Sequence, residues 1–528
     1  MAKVLIADKL PESCVDVLEA AGFEVLNRPG LGPEDLKAAI KDVDGVIVRS
    51  GVTLTEDILA AADKLHVICR AGVGVDNIDV PAASRKGVVV MNTPGANTIS
   101  TAEHTFALIL ALSRNVGPAY ISMRKGQWDR KQFTGSELSG TTLGIVGLGR
   151  VGQAVATRAA AFGMQVIAYD PFISREVAAR IGVKVVEELP ELLRICDYLT
   201  IHVPGHKETR GMIGPKEIAA MKPGARIINC ARGDVVDQDA VVEAVSSGHL
   251  AGAAFDVYAT EPPEAFDFAD NDKILATPHL GASTEAAQLA VGIQAAEQVV
   301  DALARGNYRN AVNMIAVSRE EMDALQPYCE LAGRLGSVVA MLGRGRPRSL
   351  EISCKGEVAQ QNTAPVVNYG VMGVLRVMLG NSVNIVSAPH LAKERGIHVT
   401  SSSTTGQEAG FTDLLELKLT TDRGEFEAAG TIFGREHPRI VRVGPFHTEV
   451  IPEGHLLLVF AQDTPGLIGS VGDALGRAKV NIARMTFSRQ QRAGDAMLAL
   501  NLDSPCNEQA LEGIRSLPLV EEAVMLSF

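Results

Sequence analysis

Arg232, Glu261 and His279 each follow a short apolar run of the kind that forms a buried parallel strand. A histidine changes charge near neutral pH and can take a proton from a hydroxyl group. A carboxylate beside it can hold the imidazole in one tautomer, and a guanidinium can bind a carboxylate through two parallel hydrogen bonds. Because the carboxyl ends of parallel strands meet at one edge of a sheet, we expect these side chains to lie together. Such a set suits proton removal from a small anionic hydroxy acid.

A glycine-rich turn before these residues predicts where an electron acceptor binds. Gly147, Gly149 and Gly152 have the spacing GxGxxG after an apolar run, a helix is expected over 153–162, and a second apolar run ends at Asp170. The glycines allow a tight turn, close approach of a pyrophosphate and helix–strand packing, while the acidic residue accepts hydrogen bonds from the ribose. The pattern predicts an NAD site that disfavours NADP. Taken singly, the histidine, arginine and glutamate each have a structural explanation, but their joint position after this motif favours chemistry.

The bulk composition is typical of a globular protein with several domains. The chain has 528 residues, of which 46% are hydrophobic and 21% charged, and its net charge is −12. With this net negative charge, the sequence lacks the excess of basic residues that is typical of proteins that bind nucleic acid or an anionic membrane. No signal-peptide core and no run near the ~20 apolar residues of a membrane span is present. Seven scattered cysteines without a Cys/His cluster predict no metal site, and we expect a cytoplasmic, reduced protein.

The order of the predicted elements indicates an α/β protein of four domains. The first alternates apolar and amphipathic runs like a flavodoxin-like parallel sheet, and a long helix over 98–114, with Ser100 as its N-cap, leads into a Rossmann-type domain. A helix over 283–306 is expected to return to the first domain, which is therefore discontinuous. An α+β region and a βαββαβ, ferredoxin-like module follow. The expected divisions are 1–97 with 285–317, 98–284, 318–452 and 453–528.

Two loops at the ends of predicted strands in the first domain could hold an anion. Arg49, Ser50 and Gly51 form one, and the glycine-rich segment 70–77 forms the other. An arginine, a hydroxyl and backbone amides make a carboxylate or phosphate clamp, although a capped turn with a solvated arginine explains either loop taken alone. Asn97 lies at the expected hinge between the domains.

Together these segments resemble the D-2-hydroxyacid dehydrogenase family. The resemblance rests on Gly-Leu-Gly-Arg-Val-Gly at 147–152, Asn-Cys-Ala-Arg-Gly at 229–233, Glu-Pro-Pro at 261–263 and Pro-His-Leu-Gly-Ala-Ser at 278–283. Residues 453–528 resemble an ACT module. The chain is therefore similar to the long members of the family, which carry an intervening domain before such a module.

The resemblance implies an NAD-dependent enzyme in which His279 and Glu261 form the acid–base pair and Arg232 binds and polarises the substrate. Substrate contacts are implied at Arg49, Ser50, Gly51, Asn97, Arg232 and His279. Cofactor contacts are implied at Val73, Gly147, Gly149, Arg150, Val151, Gly152, Asp170, Val203, Cys230, Ala231, Asp256, Gly281 and Ala282. Arg130 and Lys131 fall where the family's dimer lends basic groups to the neighbouring site.

For the long members, the implied reaction is hydride transfer from C2 of 3-phospho-D-glycerate to NAD+, giving 3-phosphohydroxypyruvate at the first step of L-serine biosynthesis. Without the resemblance, the residues predict only an NAD-dependent dehydrogenase of a small anionic 2-hydroxy acid. The alternatives are a dehydrogenase of 2-hydroxyglutarate, glycerate or lactate, and a non-catalytic NAD-sensing binding protein.

The resemblance of the last module implies L-serine as an effector, with contacts at Asp463 and Asn481 across a paired interface. Position 461 holds Ala where serine-sensing modules often have His. From the local sequence, Asp463 could equally cap the helix that follows Pro465. The resemblance also implies a homo-oligomer, a dimer of dimers.

Overall fold

A computed structural model describes residues 1–315, 317, 319–406, 410–434 and 436–528. Its first sheet is parallel with the strand order β2-β1-β3-β4-β5, which is the flavodoxin-like order. The strands are short and almost wholly apolar because helices cover both faces. The elements are β1 (Lys3–Ile6), α1 (Glu12–Ala20), β2 (Glu24–Asn27), α2 (Pro33–Ile40), β3 (Gly45–Val48), α3 (Glu56–Ala60), β4 (Val67–Arg70), α4 (Val80–Arg85) and β5 (Val89–Asn92).

The second sheet has seven parallel strands in the order β12-β11-β10-β9-β6-β7-β8, a Rossmann-type arrangement with one added strand. The strand order reverses between β6 and β9, so a crevice opens beside the glycine turn that follows β6. The elements are α5 (Thr98–Ser113), α6 (Val116–Arg124), β6 (Thr142–Val146), α7 (Arg150–Ala161), β7 (Gln165–Tyr169), α8 (Arg175–Arg180), β8 (Lys184–Val186), α9 (Leu189–Ile195), β9 (Tyr198–Ile201), α10 (Pro215–Ala219), β10 (Arg226–Asn229), α11 (Gln238–Ser246), β11 (Gly252–Phe255) and β12 (Ile274–Ala276).

Helix α12 (Glu285–Arg305) returns the chain to the first sheet. The Thr284 side chain caps its start by accepting from Ala287 N, and Gly306 ends it in a left-handed conformation. Val291 and Val299 are buried in one core with Val4 and Ile47. The prediction that the Rossmann-type domain is inserted in a discontinuous domain is therefore confirmed, while the exact division points stay predictions.

The bridging helix α5 begins two residues earlier than the expected cap at Ser100. Its N-cap is Asn97, whose side chain makes no capping hydrogen bond. The Ser100 hydroxyl instead lies 2.7 Å from Thr284 Oγ1, and Glu103 pairs with Arg158 of α7 at 3.2 Å. The predicted N-cap at Ser100 is wrong, because the helix already starts at Thr98 and the Ser100 hydroxyl has a tertiary partner. Ser100 and Thr284 thus tie together the two segments that cross between the domains.

The third sheet is mixed, with the order β14-β13-β15-β16-β17-β18, and its β13–β14 pair alone is parallel among the pairings of the described strands. Helices α13 and α14 pack together against one face and bury an apolar core. The elements are α13 (Arg319–Gly343), β13 (Pro347–Gly356), α14 (Ala364–Leu379), α15 (Ser387–Glu394), β14 (His398–Thr404), β15 (Asp413–Thr421), β16 (Gly424–Phe433), β17 (His437–Val443) and β18 (Phe446–Val450).

The last sheet is antiparallel with the order β20-β21-β19-β22. This order and the element sequence βαββαβ define a ferredoxin-like module, as the sequence predicted. The elements are β19 (His455–Gln462), α16 (Leu467–Arg477), β20 (Ile482–Arg489), β21 (Asp495–Leu502), α17 (Glu508–Arg515) and β22 (Val520–Ser527).

Among the described residues, no single helix is long and apolar enough to cross a membrane. Helices α5 and α6, which are bent by 67° relative to each other, meet the length and composition requirement only as a pair.

Candidate active site

The glycine turn has the geometry that each of its glycines was expected to provide. Gly147 has φ +90°, and a Cβ there would lie 2.8 Å from the His202 carbonyl oxygen. A Cβ at Gly152 would overlap the Gly147 carbonyl oxygen, whereas one at Gly149 would meet no atom within 4 Å. Helix α7 starts at Arg150, three residues before the expected start, so its first N–H groups lie directly at the turn. The open space at Gly149 and the free helix terminus fit the pyrophosphate of a dinucleotide.

Asp170 lies at the carboxyl end of β7 and is held in place by the backbone. Its Oδ2 accepts from Leu148 N at 2.8 Å, and its Oδ1 accepts from Phe172 N at 2.9 Å. The first bond joins the carboxylate to the glycine turn itself. Each oxygen keeps lone pairs for another donor, which is what a ribose hydroxyl requires.

His279 and Glu261 form a hydrogen-bonded pair at the ends of β12 and β11. His279 Nδ1 lies 2.6 Å from Glu261 Oε2, while Glu261 Oε1 accepts from Tyr258 N at 3.0 Å. Burial acts to raise the pKa of Glu261, but the hydrogen bonds from His279 and Tyr258 outweigh it and hold the pKa below its usual range. The carboxylate is therefore charged at neutral pH. With Nδ1 engaged by Glu261, the Nε2 atom of His279 is the one left for a substrate.

Asp256 is a predicted site residue that is buried, with no exposed surface. Its Oδ1 accepts from Thr277 Oγ1 at 2.6 Å and from Leu280 N at 2.7 Å, and its Oδ2 accepts from Gly281 N at 2.8 Å. His104 Nε2 lies 3.1 Å from the same Oδ1. Burial would raise the pKa of Asp256, yet these bonds hold it below its usual range. The carboxylate anchors the turn that follows His279.

Arg232 reaches across the cleft between the first two domains. Its Nε lies 3.1 Å from Asp76 Oδ2, and its Nη1 donates to its neighbour's carbonyl, Ala231 O, at 2.7 Å. A Cβ at Gly74 would overlap Arg232 Nη2, so the 72–74 loop lies directly against the guanidinium. Arg232 thus lies against the 72–74 loop and pairs with a carboxylate from the opposite domain.

Arg70 joins this cationic group; the sequence placed it in a candidate anion-binding loop, although it is not among the substrate contacts that the resemblance implies. Its Nε lies 3.3 Å from Asn77 Oδ1. Burial lowers the pKa of Arg70 to about 10, and the nearby charges of Arg232 and Arg49 act in the same direction. Arg49 is positioned by its backbone N–H, which donates to Asp8 Oδ2 at 2.5 Å. The signal available in the sequence was the strand-end position that Arg70 shares with Arg49.

The other predicted contacts surround this cleft. Val73 is exposed, and its carbonyl accepts from Asn92 Nδ2 at 2.6 Å. Asn97 Oδ1 is buried without a hydrogen-bond partner, which leaves an acceptor at the hinge. Burial raises the pKa of the Cys230 thiol to about 12, so this residue is an apolar wall. The remaining predicted contacts are Ser50 and Gly51 beside Arg49, Val151 in the first turn of α7, Val203 after β9, Ala231 beside Arg232, and Ala282 after Gly281.

The predicted effector residues make contacts within their own module. Asp463 Oδ2 pairs with Arg489 Nη1 at 2.8 Å and accepts from Ala493 N at 3.2 Å. The alternative in which Asp463 caps the following helix is wrong, because the N-cap of α16 is Gly466 and no side chain caps it. Asn481 Nδ2 donates to Asp503 Oδ2 at 2.7 Å. Across the part of the chain that is described, no group of three or more His, Cys, Asp or Glu side chains could hold a metal ion.

A Rossmann-type sheet, a pyrophosphate turn and a His–Glu pair facing an arginine define the class of D-2-hydroxyacid dehydrogenases. Residues 106–281 match the model of the D-isomer specific 2-hydroxyacid dehydrogenase NAD binding domain. Residues 324–444 match that of the D-3-phosphoglycerate dehydrogenase intervening domain. The chain belongs to the D-3-phosphoglycerate dehydrogenase family.

Full-length relatives carry this name. The D-3-phosphoglycerate dehydrogenase of Methanocaldococcus jannaschii is 41% identical over 527 residues, covering all of both chains. That of Bacillus subtilis is 39% identical over 98% of both chains. The NAD+-bound 3-phosphoglycerate dehydrogenase of Entamoeba histolytica is 32% identical with a TM-score of 0.52, covering 60% of this chain and 99% of that one.

Proposed function

We propose that this protein oxidises the C2 hydroxyl of 3-phospho-D-glycerate with NAD+, giving 3-phosphohydroxypyruvate, the first step of L-serine biosynthesis. The observation that carries the proposal is the His279–Glu261 pair, which shares one cleft with Arg232, Arg70 and Arg49. Full-length relatives named for this activity support the same substrate.

NAD fits the residues of the second domain. Gly149 leaves open space at the free end of α7, and Asp170 is fixed against the glycine turn with acceptor capacity remaining. Arg150 and Val151 lie in the first turn of α7, beside the same space. When bound, the nicotinamide supplies the hydride acceptor. The protein must hold the substrate hydroxyl, remove its proton and bind its anionic groups.

The proton leaves the substrate hydroxyl for His279 Nε2 as the C2 carbonyl forms. Glu261 fixes the imidazole through Nδ1 and stabilises the positive charge that the ring gains. Arg232 lies against the 72–74 loop, where the guanidinium and the backbone N–H groups can bind the carboxylate and polarise the oxygen at C2. Asn97 Oδ1, buried without a partner, offers an acceptor at the hinge side of the cleft.

The three arginines indicate a substrate with two anionic groups. Arg232 suffices for the carboxylate of any 2-hydroxy acid, while Arg49 and Arg70 add cationic charge from the neighbouring strands. A phosphate at C3 is a dianion that matches this surplus, whereas lactate has nothing to place there. The Arg49 and Arg70 side chains are therefore assigned to the phosphate.

The test compares kcat/KM for 3-phosphoglycerate, D-glycerate, D-lactate and 2-hydroxyglutarate by NADH absorbance, in the parent and in Arg70→Met. We expect 3-phosphoglycerate to be preferred, and Arg70→Met to lose at least about tenfold on it while changing D-glycerate little. Arg85→Met is the matched control, because Arg85 pairs with Glu56 at the surface of the same domain. A preference for an unphosphorylated acid would refute the substrate, and no turnover with any acid would refute the enzyme.

A homo-oligomer, a dimer of dimers, is proposed, and the apolar surface of the second domain supports one of its interfaces. Tyr120, Ile121 and Met123 of α6 are exposed, and Trp128 beyond it is 75% exposed. Arg130 and Lys131 follow on the same surface, where each would reach a second copy's active site.

Mixing two inactive variants tests this arrangement. In hybrids of His279→Ala with a variant carrying Arg130→Ala and Lys131→Ala, one site per dimer regains all its residues. The mixture should therefore recover up to about a quarter of the parent activity. A mixture no more active than its components would contradict basic groups lent in trans.

L-Serine is the effector that the C-terminal module would bind, through Asp463 and Asn481 at a paired interface. Asp463 offers a carboxylate for an ammonium group, and Asn481 offers an amide for a carboxylate. We expect L-serine, but not D-serine, to inhibit the parent, and Asp463→Ala to abolish the inhibition. Equal inhibition of the variant would remove Asp463 from the site.

All seven cysteines are free thiols, which supports a reducing, cytoplasmic location.

A further inference from the structure

The shape of the turn that carries His279 depends on a carboxylate behind it. His279 has φ +54°, a left-handed conformation that non-glycine residues rarely adopt. The next two backbone N–H groups, of Leu280 and Gly281, both donate to the buried Asp256 carboxylate. The turn that carries the imidazole is therefore anchored to that carboxylate.

The Asp256 carboxylate is in turn held from the opposite side by helix α5. His104 Nε2 lies 3.1 Å from Asp256 Oδ1 and 3.1 Å from Thr277 Oγ1. The Thr277 hydroxyl gives its single proton to Asp256 Oδ1 at 2.6 Å, so towards His104 it can only accept. Nε2 of His104 therefore carries a proton shared between the carboxylate and the hydroxyl.

Helix α5 also touches the turn directly. A Cβ placed on Gly281 would lie 3.2 Å from Asp256 Oδ2 and 3.5 Å from Thr101 Cγ2, one turn before His104. The same helix starts at the hinge residue Asn97. The hinge, His104, Asp256 and the His279 turn thus form one continuous set of contacts.

We propose that His104 is a positioning residue for the dehydrogenation. By holding the Asp256 carboxylate, it sets the position of the His279 turn and of the adjoining backbone at Leu280 and Gly281, beside the space for the nicotinamide. The effect of His104 on catalysis rests on the proposed function, whereas its effect on NADH binding does not. His104 touches neither Glu261 nor Arg232, and it acts only through Asp256 and Thr277. The ring is mostly buried, and 19% of its side chain is exposed.

Substitutions of His104 separate positioning from a purely structural role. His104→Leu removes the donor at similar volume, and His104→Gln places an amide N–H close to where Nε2 lies. We expect His104→Leu to lower kcat at least about tenfold and to raise the Kd of NADH several-fold, while KM for the acid changes by less than about threefold. His104→Gln should recover most of both losses, because it restores the donor.

His249→Leu is the matched control. His249 lies in the same domain, and its Nε2 bonds a backbone carbonyl, Ile218 O, at 3.0 Å; it precedes β11, whereas Asp256 follows the other end of that strand. It should lower the melting temperature without changing kcat or NADH affinity. If His104→Leu does not fold, Thr277→Val tests the same point, since it removes the other side-chain donor to Asp256 Oδ1 at equal size.

Unchanged kcat and unchanged NADH affinity in a folded His104→Leu or Thr277→Val protein would overturn the proposal, as would a His104→Gln variant no better than His104→Leu. NADH affinity, measured by fluorescence, does not depend on the substrate. A parent that turns over no hydroxy acid would therefore defeat the proposed function and still leave the positioning role open to this measurement.

Discussion

Replacing Asp170 with Ala should change the nucleotide preference of this protein more than its stability. The substitution removes two backbone contacts, to Leu148 N and Phe172 N, and with them the acceptor that is proposed to bind the ribose. Phe172 is 94% exposed, so water can replace the carboxylate at its N–H, and the N–H of the buried Leu148 adjoins the exposed Gly149 of the turn. Loss of the carboxylate should weaken the binding of the ribose hydroxyls of NAD and strengthen the binding of the 2′-phosphate of NADP.

The expected size of the change follows from two effects. Hydrogen bonds to a charged group contribute about 1.5–3 kcal/mol, so losing those to the ribose should cost NAD about 10- to 100-fold in kcat/KM. Repulsion between unit charges about 4 Å apart is ~4 kcal/mol at an effective dielectric constant of ~20, and solvent at the half-buried Asp170 reduces it to ~1–2 kcal/mol. Relief of that repulsion should raise kcat/KM for NADP about 5- to 30-fold.

The assay is kcat/KM for NAD+ and NADP+ at saturating acid substrate, with Asp197→Ala as a control. Asp197 is bonded to the opposite end of β6, through Thr142 N at 2.8 Å, and to Lys222 Nζ at 2.5 Å. Its loss should lower the melting temperature and leave the NAD/NADP ratio unchanged. A ratio that stays constant in Asp170→Ala, or that shifts equally in Asp197→Ala, would refute the assignment of Asp170 to the ribose.

Three further outcomes are expected. His279→Ala should lower kcat at least about 100-fold at unchanged NADH affinity, measured by stopped-flow absorbance and fluorescence; near-normal turnover would exclude His279 as the base. Gly87→Ala should lower the melting temperature, because Gly87 has φ +74° and a Cβ there would overlap the Asn384 amide. The decrease in melting temperature should be smaller when Asn384 is also replaced by Ala. Hydrogen bonds hold the pKa of Asp256 below its ordinary 3.8. The charged Asp256 therefore stabilises the folded protein above pH 3.8, and this stabilisation is lost as the pH falls through the lowered pKa. The deficit in melting temperature of Asp256→Asn should therefore narrow on acidification, and a deficit independent of pH would contradict this.

The fold class was predictable because its signals are local. The glycine spacing requires a positive φ at Gly147 and close packing at Gly152, and both are present. The βαββαβ order of the last module determines its strand arrangement. Helix ends were harder, since α5 starts at Thr98 without a side-chain cap and α7 starts at Arg150, inside the glycine motif. Tertiary contacts decide those ends, and the local pattern does not contain them.

The site was predictable where neighbouring parallel strands bring residues together. Glu261 and His279 follow the adjacent strands β11 and β12, so their 2.6 Å contact agrees with the strand-end argument. The pairing of Arg232 with Asp76 could not be predicted, because the two residues are 156 positions apart and meet across the cleft between two domains. The same holds for His104, whose partner Asp256 is 152 positions away.

The intervening domain reaches the catalytic cleft along one strand. Asn384 Nδ2 donates to Gly87 O at 2.8 Å just before β5, and the neighbouring Val386 is buried in the same core as Met91 of that strand. Strand β5 ends at Asn92, which holds the carbonyl of Val73 in the loop facing Arg232. Val89, Val90 and Met91 of this strand are buried, so β5 forms a packed connection between the Asn384 contact and that loop. The four-residue strand β5 therefore separates the contact with the intervening domain from the residues proposed to bind the substrate.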